Sequence, residues 1–179
     1  ETRDCDALLV AWRHFGDSGN VTWPGRQMSE GFTMARAPRE VLKPYVKTLF
    51  RWSDKIRHLD VHRPYFQPGV TAEDFAALTS IGTPAHPMFT KSTKDRFNRI
   101  MEEGPYWSLA QVNHYTLRTP DVFQQKRLRG RGNRPHTEEN DRHNARYYRR
   151  HNFNEVEDRG ALRHLAAVDR ELDRLKTIL

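Results

Sequence analysis

The sequence has one cysteine, Cys5, in 179 residues and no long hydrophobic run. A single thiol can form neither an intrachain disulfide framework nor a thiolate zinc site. A membrane-spanning helix needs about 18 consecutive apolar residues, and no segment approaches that length. A P-loop and a dinucleotide-binding glycine fingerprint are also missing. These absences favour a protein of the reducing cytoplasm without a disulfide scaffold or a membrane span.

The charge, by contrast, is plentiful and unbalanced. Lys and Arg number 30 against 23 Asp and Glu, which leaves a formal net charge of +7. Such a surplus favours anionic partners, among them nucleic acid, nucleotides, phosphorylated sugars and acidic lipid surfaces. The chain begins with Glu1 and enters an apolar run almost at once. We interpret this beginning as that of a fragment.

The hydrophobic pattern predicts a mixed α/β chain. The apolar run from Asp6 to Trp12 is typical of a strand buried in a parallel or mixed sheet. Residues 20–40 are expected to form a loop with one short strand. Alternating apolar residues predict further strands at 45–52, 56–62 and 107–117.

Capping patterns predict the helices. Two such patterns favour short helices at 72–80 and 92–102. Thr119, Pro120 and Gly130 bound a third helix at 120–129. Leucines and a valine at spacings of three and four predict an amphipathic helix over 155–179.

Three residue patterns could suggest a zinc site, a nucleophile or a cation-binding pair, but the residues around each pattern do not favour that function. His58 and His62 stand four residues apart, but in extended chain that spacing is about 13 Å, too far for a shared zinc ion. Cys5 has no nucleophile signature around it and is interpreted as a small structural residue. Asp4 and Asp6 form a D-x-D pattern that precedes the first strand, where a cation-binding pair would follow it.

An arginine cluster offers a second kind of function. Between residues 127 and 150 there are eight arginines, with Tyr147 and Tyr148 among them. Guanidinium and aromatic groups together suit phosphate contact and base stacking, which would make this segment a nucleic-acid or polyanion-binding module. The alternative is a solvated basic linker without a dedicated partner.

The order of several local patterns resembles a known enzyme family. The first is D-A-L-L-V-A-W-R-H-F-G-D-S-G over residues 6–19, followed by E-G-F-T at 30–33 and V-K-T-L-F-R at 46–51. V-H-R-P at 61–64 comes next, and N-H-Y-T-L-R-T-P-D-V-F-Q-Q-K-R-L-R-G closes the series at 113–130. This series resembles the bacterial family-2-like glycosyltransferases related to family 92. The last pattern is the most specific.

The resemblance implies a GT-A fold and transfer of a sugar from a nucleotide-sugar donor to a saccharide or glycan acceptor. It also implies a divalent metal cofactor, Mn²⁺ or Mg²⁺. The family's acidic metal-binding motif lies before the tryptophan strand and has no counterpart here. We therefore expect the acceptor-side part of such a domain over 1–130, a basic linker over 131–154 and the amphipathic helix over 155–179.

The resemblance also assigns the residues of the sugar-transfer step. Trp12 and Arg13 are the candidates for the sugar cleft, where an aromatic face packs on a pyranose and a guanidinium holds hydroxyls or phosphate. Asp17 and Glu30 are the candidate catalytic acids. Glu30 is the first choice for the base that takes the proton of the acceptor hydroxyl.

Metal and diphosphate contacts are implied in the same way. His62 and His114 are the candidate metal ligands. Lys47, Lys126 and Arg129 are the candidate cations that neutralise the departing diphosphate. An ordinary surface role is the alternative for each of the three.

The sequence departs from the family pattern at two places. Gly31 stands where the family commonly has Arg after the glutamate, and Arg118 with Thr119 replaces the usual Lys-Ser.

The leucine stripe of the terminal helix suits self-association or docking on a partner, although such a stripe more commonly packs into a core.

Overall fold

The computed structural model describes residues 5–38, 45–90, 107–130 and 144–178. The chain is a mixed α/β protein with a four-stranded mixed sheet, two small two-stranded sheets and helices. This confirms the predicted class at that level. None of the described helices has the length and apolar character needed to cross a membrane.

The strand β1, Ala7–His14, organises the four-stranded sheet. It pairs antiparallel with β3, Val46–Phe50, and parallel with β6, Ala77–Thr79. The short strand β7, Val112–His114, also pairs with β1. Because β1 has neighbours on both sides, its apolar run is buried, and Leu9 is fully enclosed. The predicted strand at 6–12 is therefore confirmed.

Two antiparallel two-stranded sheets complete the strand pairing. The strand β2, Met34–Ala35, pairs antiparallel with β8, Val156–Glu157. The strand β4, Ile56–Leu59, pairs antiparallel with β5, Pro64–Phe66, with a bulge between Ile56 and His58. The predicted strand at 56–62 ends at Leu59 because the chain turns there, and the Asp60 amide donates to the Arg63 carbonyl.

Four α-helices follow from local signals of different strength. They are α1 at Met28–Gly31, α2 at Pro120–Arg129, α3 at Ala145–His151 and α4 at Leu165–Lys176. The bounds of α2 agree with those predicted, since a proline opens the helix and Gly130, with φ of 72°, ends it.

Other predicted elements need correction. The helix expected at 72–80 is wrong, because Thr71 and Asp74 bond to each other in a turn and the chain then enters β6. The terminal helix starts later than predicted, with β8 and a 3₁₀ turn at Gly160–His164 before α4. The strand at 107–117 shortens to β7. The helix expected at 92–102 lies outside the described residues.

Contacts group the chain into two units. The first unit comprises Glu1–Arg13 and Pro38–Asn113, and the second comprises His14–Ala37 and His114–Leu179. The core of the first unit includes three rings, Phe66, Phe75 and Phe89, whose centroids lie 4.8 to 6.5 Å apart. The predicted division at residues 130 and 154 stays a prediction.

Candidate functional site

The second unit contains a cavity of about 440 Å³ whose charged lining residues are all basic. Its walls are Tyr115, Thr116, Leu117, Arg118, Val122, Gln125, Lys126 and Arg129. None of these eight residues is acidic, so the cavity is electropositive and suits an anion. We call it the cationic cavity.

The helix α2 supplies half of this lining. Val122, Gln125, Lys126 and Arg129 follow one another at spacings of three, one and three, which places them on one helical face. Phe123 points away from this face and is buried. The helical spacing therefore brings Lys126 and Arg129 to one cavity.

The segment before α2 supplies the other half. Thr116, Leu117 and Thr119 are buried and hold this stretch in place. Between them, Arg118 adopts a φ of 63°, in the left-handed region that costs a non-glycine residue about 1–2 kcal/mol. The structure retains this strained residue at the wall of the cationic cavity, and strained residues cluster at functional sites.

Lys126 is held in a defined position. Its ammonium donates a hydrogen bond of 2.8 Å to the carbonyl oxygen of Thr116. Arg129 is exposed at the C-terminal end of α2, where a cation also complements the helix dipole. Lys126 and Arg129, two of the predicted diphosphate contacts, thus line one cavity.

Asp17 lies in a different part of the second unit and has four hydrogen-bond donors. The Gly19 amide and the Asn154 side-chain amide donate to Oδ1 at 2.9 and 2.8 Å. The Tyr148 hydroxyl and the Asn152 side-chain amide donate to Oδ2 at 2.8 and 2.6 Å. Both carboxylate oxygens are therefore fully engaged.

This network joins the loop after β1 to the segment after α3. The Asn152 and Asn154 side-chain carbonyls accept from the amides of Asp17 and Ser18 at 2.8 and 2.9 Å. A side chain at Gly16 would collide with Asn152 and Asn154, so a glycine is required there for the close approach. We call Asp17 with Tyr148, Asn152 and Asn154 the Asp17 hub.

The pKa of Asp17 follows from these contacts. Burial raises the pKa, but the hydrogen bonds from Gly19, Tyr148, Asn154 and Asn152 outweigh it and hold the pKa below the ordinary 3.8. A carboxylate with four donors and a low pKa is a weak proton acceptor. The geometry therefore favours a positioning role for Asp17 over the predicted catalytic one, which stays a prediction.

Glu30, the other candidate acid, is exposed in the first turn of α1. Asn20 connects the loop that carries α1 to the Asp17 hub. The side-chain amide of Asn20 donates hydrogen bonds of 2.8 Å to the main-chain carbonyl oxygens of Asp17 and Gly31. Glu30 is thus a solvent-accessible carboxylate on an anchored loop.

The remaining predicted substrate contacts lie in the first unit. The ring of Trp12 lies 5.1 Å from that of His62 and 5.5 Å from that of Tyr45, and the Lys47 ammonium lies 5.7 Å from its centroid. The Arg13 guanidinium lies 4.9 Å from the Trp107 ring centroid. Consecutive strand residues point to opposite faces, so Trp12 and Arg13 do not share one surface.

The predicted metal ligands have other surroundings. Nδ1 of His62, in the first unit, lies 3.0 Å from the Val46 carbonyl oxygen. The ring of His114, in the second, lies 4.9 Å from that of His14. Within the four described ranges, no three His, Cys, Asp or Glu side chains are arranged to hold a metal ion. The described residues therefore do not fit the implied metal site.

His14 belongs to a histidine cluster of the second unit. Its ring centroid lies 4.9 Å from that of His114, 5.7 Å from that of His151 and 5.8 Å from that of Phe153. Burial, followed by electrostatic interaction with His114, His151 and Arg36, lowers the pKa of His14 from 6.5 to about 3. His14 is therefore neutral at pH 7.

The Asp17 hub includes two residues that the sequence interpretation did not single out, Asn152 and Asn154. Asn152 and Asn154 lie two apart in extended chain, so their side chains share one side. Tyr148 lies on α3, within the expected linker. The two asparagines that follow the tyrosine pair were the sequence signal that could have identified the hub.

A comparison of the chain with family models, curated proteins and solved structures finds no match.

Asp17→Asn tests the hub. An asparagine has one acceptor oxygen and an NH2 group that faces existing donors, so we expect the free energy of unfolding to fall by about 2–3 kcal/mol at pH 7. Because the folded pKa lies below 3.8, the carboxylate's contribution is complete above that pH and is lost as pH falls through the folded pKa. Urea unfolding measures both effects, with Asp54→Asn as an exposed control. Equal stability of Asp17→Asn and wild type would contradict the hub.

His14 predicts a second pH dependence. Between pH 6.5 and about 3 the unfolded chain binds a proton at His14 and the folded chain does not. Folding stability should therefore fall as pH decreases, by about 1.4 kcal/mol for each pH unit from this group alone. Urea unfolding between pH 7.5 and 4.5 should show a shallower pH slope for His14→Phe and an unchanged slope for His164→Phe. The same slope in His14→Phe as in wild type would contradict the shifted pKa.

Proposed function

We propose that this chain is part of a glycosyltransferase, which transfers a sugar from a nucleotide-sugar donor to a saccharide or glycan acceptor. The observation that carries the proposal is the cationic cavity. It brings together Lys126 and Arg129, which the motif resemblance had already selected for the diphosphate, and adds Arg118. The mixed sheet around β1 is compatible with a GT-A domain, and that finer likeness is part of the proposal.

The chemistry of the cavity supports a diphosphate ligand. Its volume of about 440 Å³ lies within the usual range for small-molecule sites, about 300–1,000 Å³. A guanidinium can bind two phosphate oxygens at once, and an ammonium adds a point charge. Charge on the leaving diphosphate grows as the bond to the sugar breaks, so fixed cations stabilise the transition state more than the ground state.

The transfer step is a displacement at the anomeric carbon. The acceptor hydroxyl oxygen forms the new bond to that carbon, and the bond from the carbon to the diphosphate oxygen breaks with its electron pair on the diphosphate. The hydroxyl proton passes to a carboxylate, for which we propose Glu30. Asp17 holds the loop that carries Glu30, through Asn20.

Trp12 is the proposed saccharide contact of the first unit. Its ring lies beside Tyr45, which is 47% exposed, and beside His62. Aromatic faces of this kind bury the apolar side of a sugar ring. The implied Mn²⁺ or Mg²⁺ takes part in none of these steps, and the titration below includes it as a variable.

The first experiment is a calorimetric titration of the protein with UDP and GDP, with and without Mn²⁺. We expect one of the two to bind, and Lys126→Gln and Arg129→Gln to weaken it about tenfold or more each, because each removes a charge-assisted hydrogen bond. Arg170→Gln on α4 removes the same charge outside the cavity and should leave the affinity unchanged. Failure of both nucleotides, or no effect of Lys126→Gln and Arg129→Gln, would overturn the proposal.

A second experiment tests the base. With the donor selected by that titration and a mixture of glycans, Glu30→Gln should slow release of the nucleotide diphosphate about 10²- to 10⁴-fold. Its affinity for the diphosphate should not change, because Glu30 does not line the cationic cavity. Glu73→Gln, an exposed glutamate of the first unit, is the matched control. A fully active Glu30→Gln would exclude Glu30 as the base.

A further inference from the structure

The positive charge of the chain is concentrated on two helices of the second unit. Residues 118–130 and 144–151 together contain seven Lys and Arg against one acid, Asp121. The seven are Arg118, Lys126, Arg127, Arg129, Arg146, Arg149 and Arg150. These two stretches carry a formal net charge of +6, against +7 for the whole chain. The potential around α2 and α3 is therefore strongly positive.

Four of these cations lack an acidic partner among the described residues. The three arginines of α3 and Arg129 form no ion pair with any residue in the described ranges. The helix α4 is the opposite case, with three cations and three acids. Its Arg174 contacts Glu171 at 2.6 Å and its Lys176 contacts Asp173 at 2.9 Å. The cations of α4 are therefore paired with acids of the same helix, whereas the arginines of α3 have no such acids on their helix.

The two basic helices pack directly on each other. The ring of Phe123 on α2 lies 5.0 Å from Tyr148 and 6.3 Å from Tyr147. Beside this contact is a groove of about 330 Å³, which both Arg127 of α2 and Arg149 of α3 line. Because the other side of α2 lines the cationic cavity, cations are available along a path longer than a single phosphate group. We call Arg127 with Arg146, Arg149 and Arg150 the basic face.

The tyrosines indicate which polyanion fits. Single-stranded nucleic acid binds by stacking its bases on accessible aromatic rings. Tyr147 is stacked on His151, with centroids 4.0 Å apart, and Tyr148 donates its hydroxyl to Asp17. Both rings are engaged and half-buried. The arginine forks, in contrast, match carboxylate and phosphate groups without any base.

We propose that the basic face binds an anionic glycan, a saccharide chain that carries carboxylate or phosphodiester groups. This inference rests on the proposed function, because it makes that glycan the acceptor. The guanidinium groups pair with its acidic groups, and the chain lies across α2 and α3. A neutral glycan lacks those groups and does not bind there.

The test is a binding titration without any nucleotide. The probes are polygalacturonate and a phosphomannan, which carry carboxylate and phosphodiester groups respectively, with dextran as the neutral glycan and oligouridylate and duplex DNA as nucleic acids. We expect at least one anionic glycan to bind, with an affinity that falls as salt rises, and dextran not to bind. Arg146→Gln/Arg149→Gln/Arg150→Gln should weaken the binding about tenfold or more.

The matched control is Arg170→Gln/Arg174→Gln/Lys176→Gln, which removes the same charge from α4. It should weaken binding less than about twofold. The α3 variant should unfold at the wild-type temperature because its three residues are exposed. The α4 variant loses two surface ion pairs and should unfold only a few degrees lower, because such pairs contribute about 0–1 kcal/mol each. If both variants weakened binding equally, the effect would depend only on the net charge of the protein and not on α3, and the proposal would be overturned. Failure of both anionic glycans would also overturn it, as would tighter, α3-dependent binding of a nucleic acid.

The two proposals fail separately. If the protein binds an anionic glycan but neither UDP nor GDP, the glycosyltransferase proposal is excluded and the basic face remains a glycan-binding surface. Nucleotide binding without anionic-glycan binding would leave the transferase and remove this acceptor.

Discussion

The fold of the second unit depends on one interaction: the buried carboxylate of Asp17 requires hydrogen-bond donors from distant parts of the chain. Asp17 obtains two of them from Asn152 and Tyr148, the first of which lies 135 residues further along the chain. A carboxylate removed from water without donors would cost several kcal/mol, so the chain must close around it. Closing it brings α3 to the loop after β1. Because α3 packs on α2 through Phe123, the groove between these helices follows from the same closure.

The helix α2 has a double role in this arrangement. Its buried residue Phe123 contacts α3, while Lys126 and Arg129 line the cationic cavity. One helix therefore connects the structural hub to both proposed binding surfaces. Arg118, just before this helix, adopts a left-handed backbone that a glycine would adopt more readily.

Elements with strong local signals were predictable. The helix α2 is bounded by Thr119, Pro120 and Gly130, each of which acts on the backbone within one turn. The capping pattern at Thr71 and Asp74 was misleading because the same bonds also close an isolated turn, and pairing of β6 with β1 outweighs helix formation there. The helix α3 was missed because it has no apolar periodicity and is stabilised by packing and by the Asn144 cap.

The sequence by itself determined the local and the summed properties: the buried strand β1, the bounds of α2 and the surplus of positive charge. Only the tertiary structure decided which side chains meet. It engaged Asp17 in a hub and brought Lys126 and Arg129 together with Arg118 at one cavity. The reason is range. Helix caps and apolar runs act over a few residues, whereas a hydrogen bond between Asp17 and Asn154 depends on the path of all the chain between them.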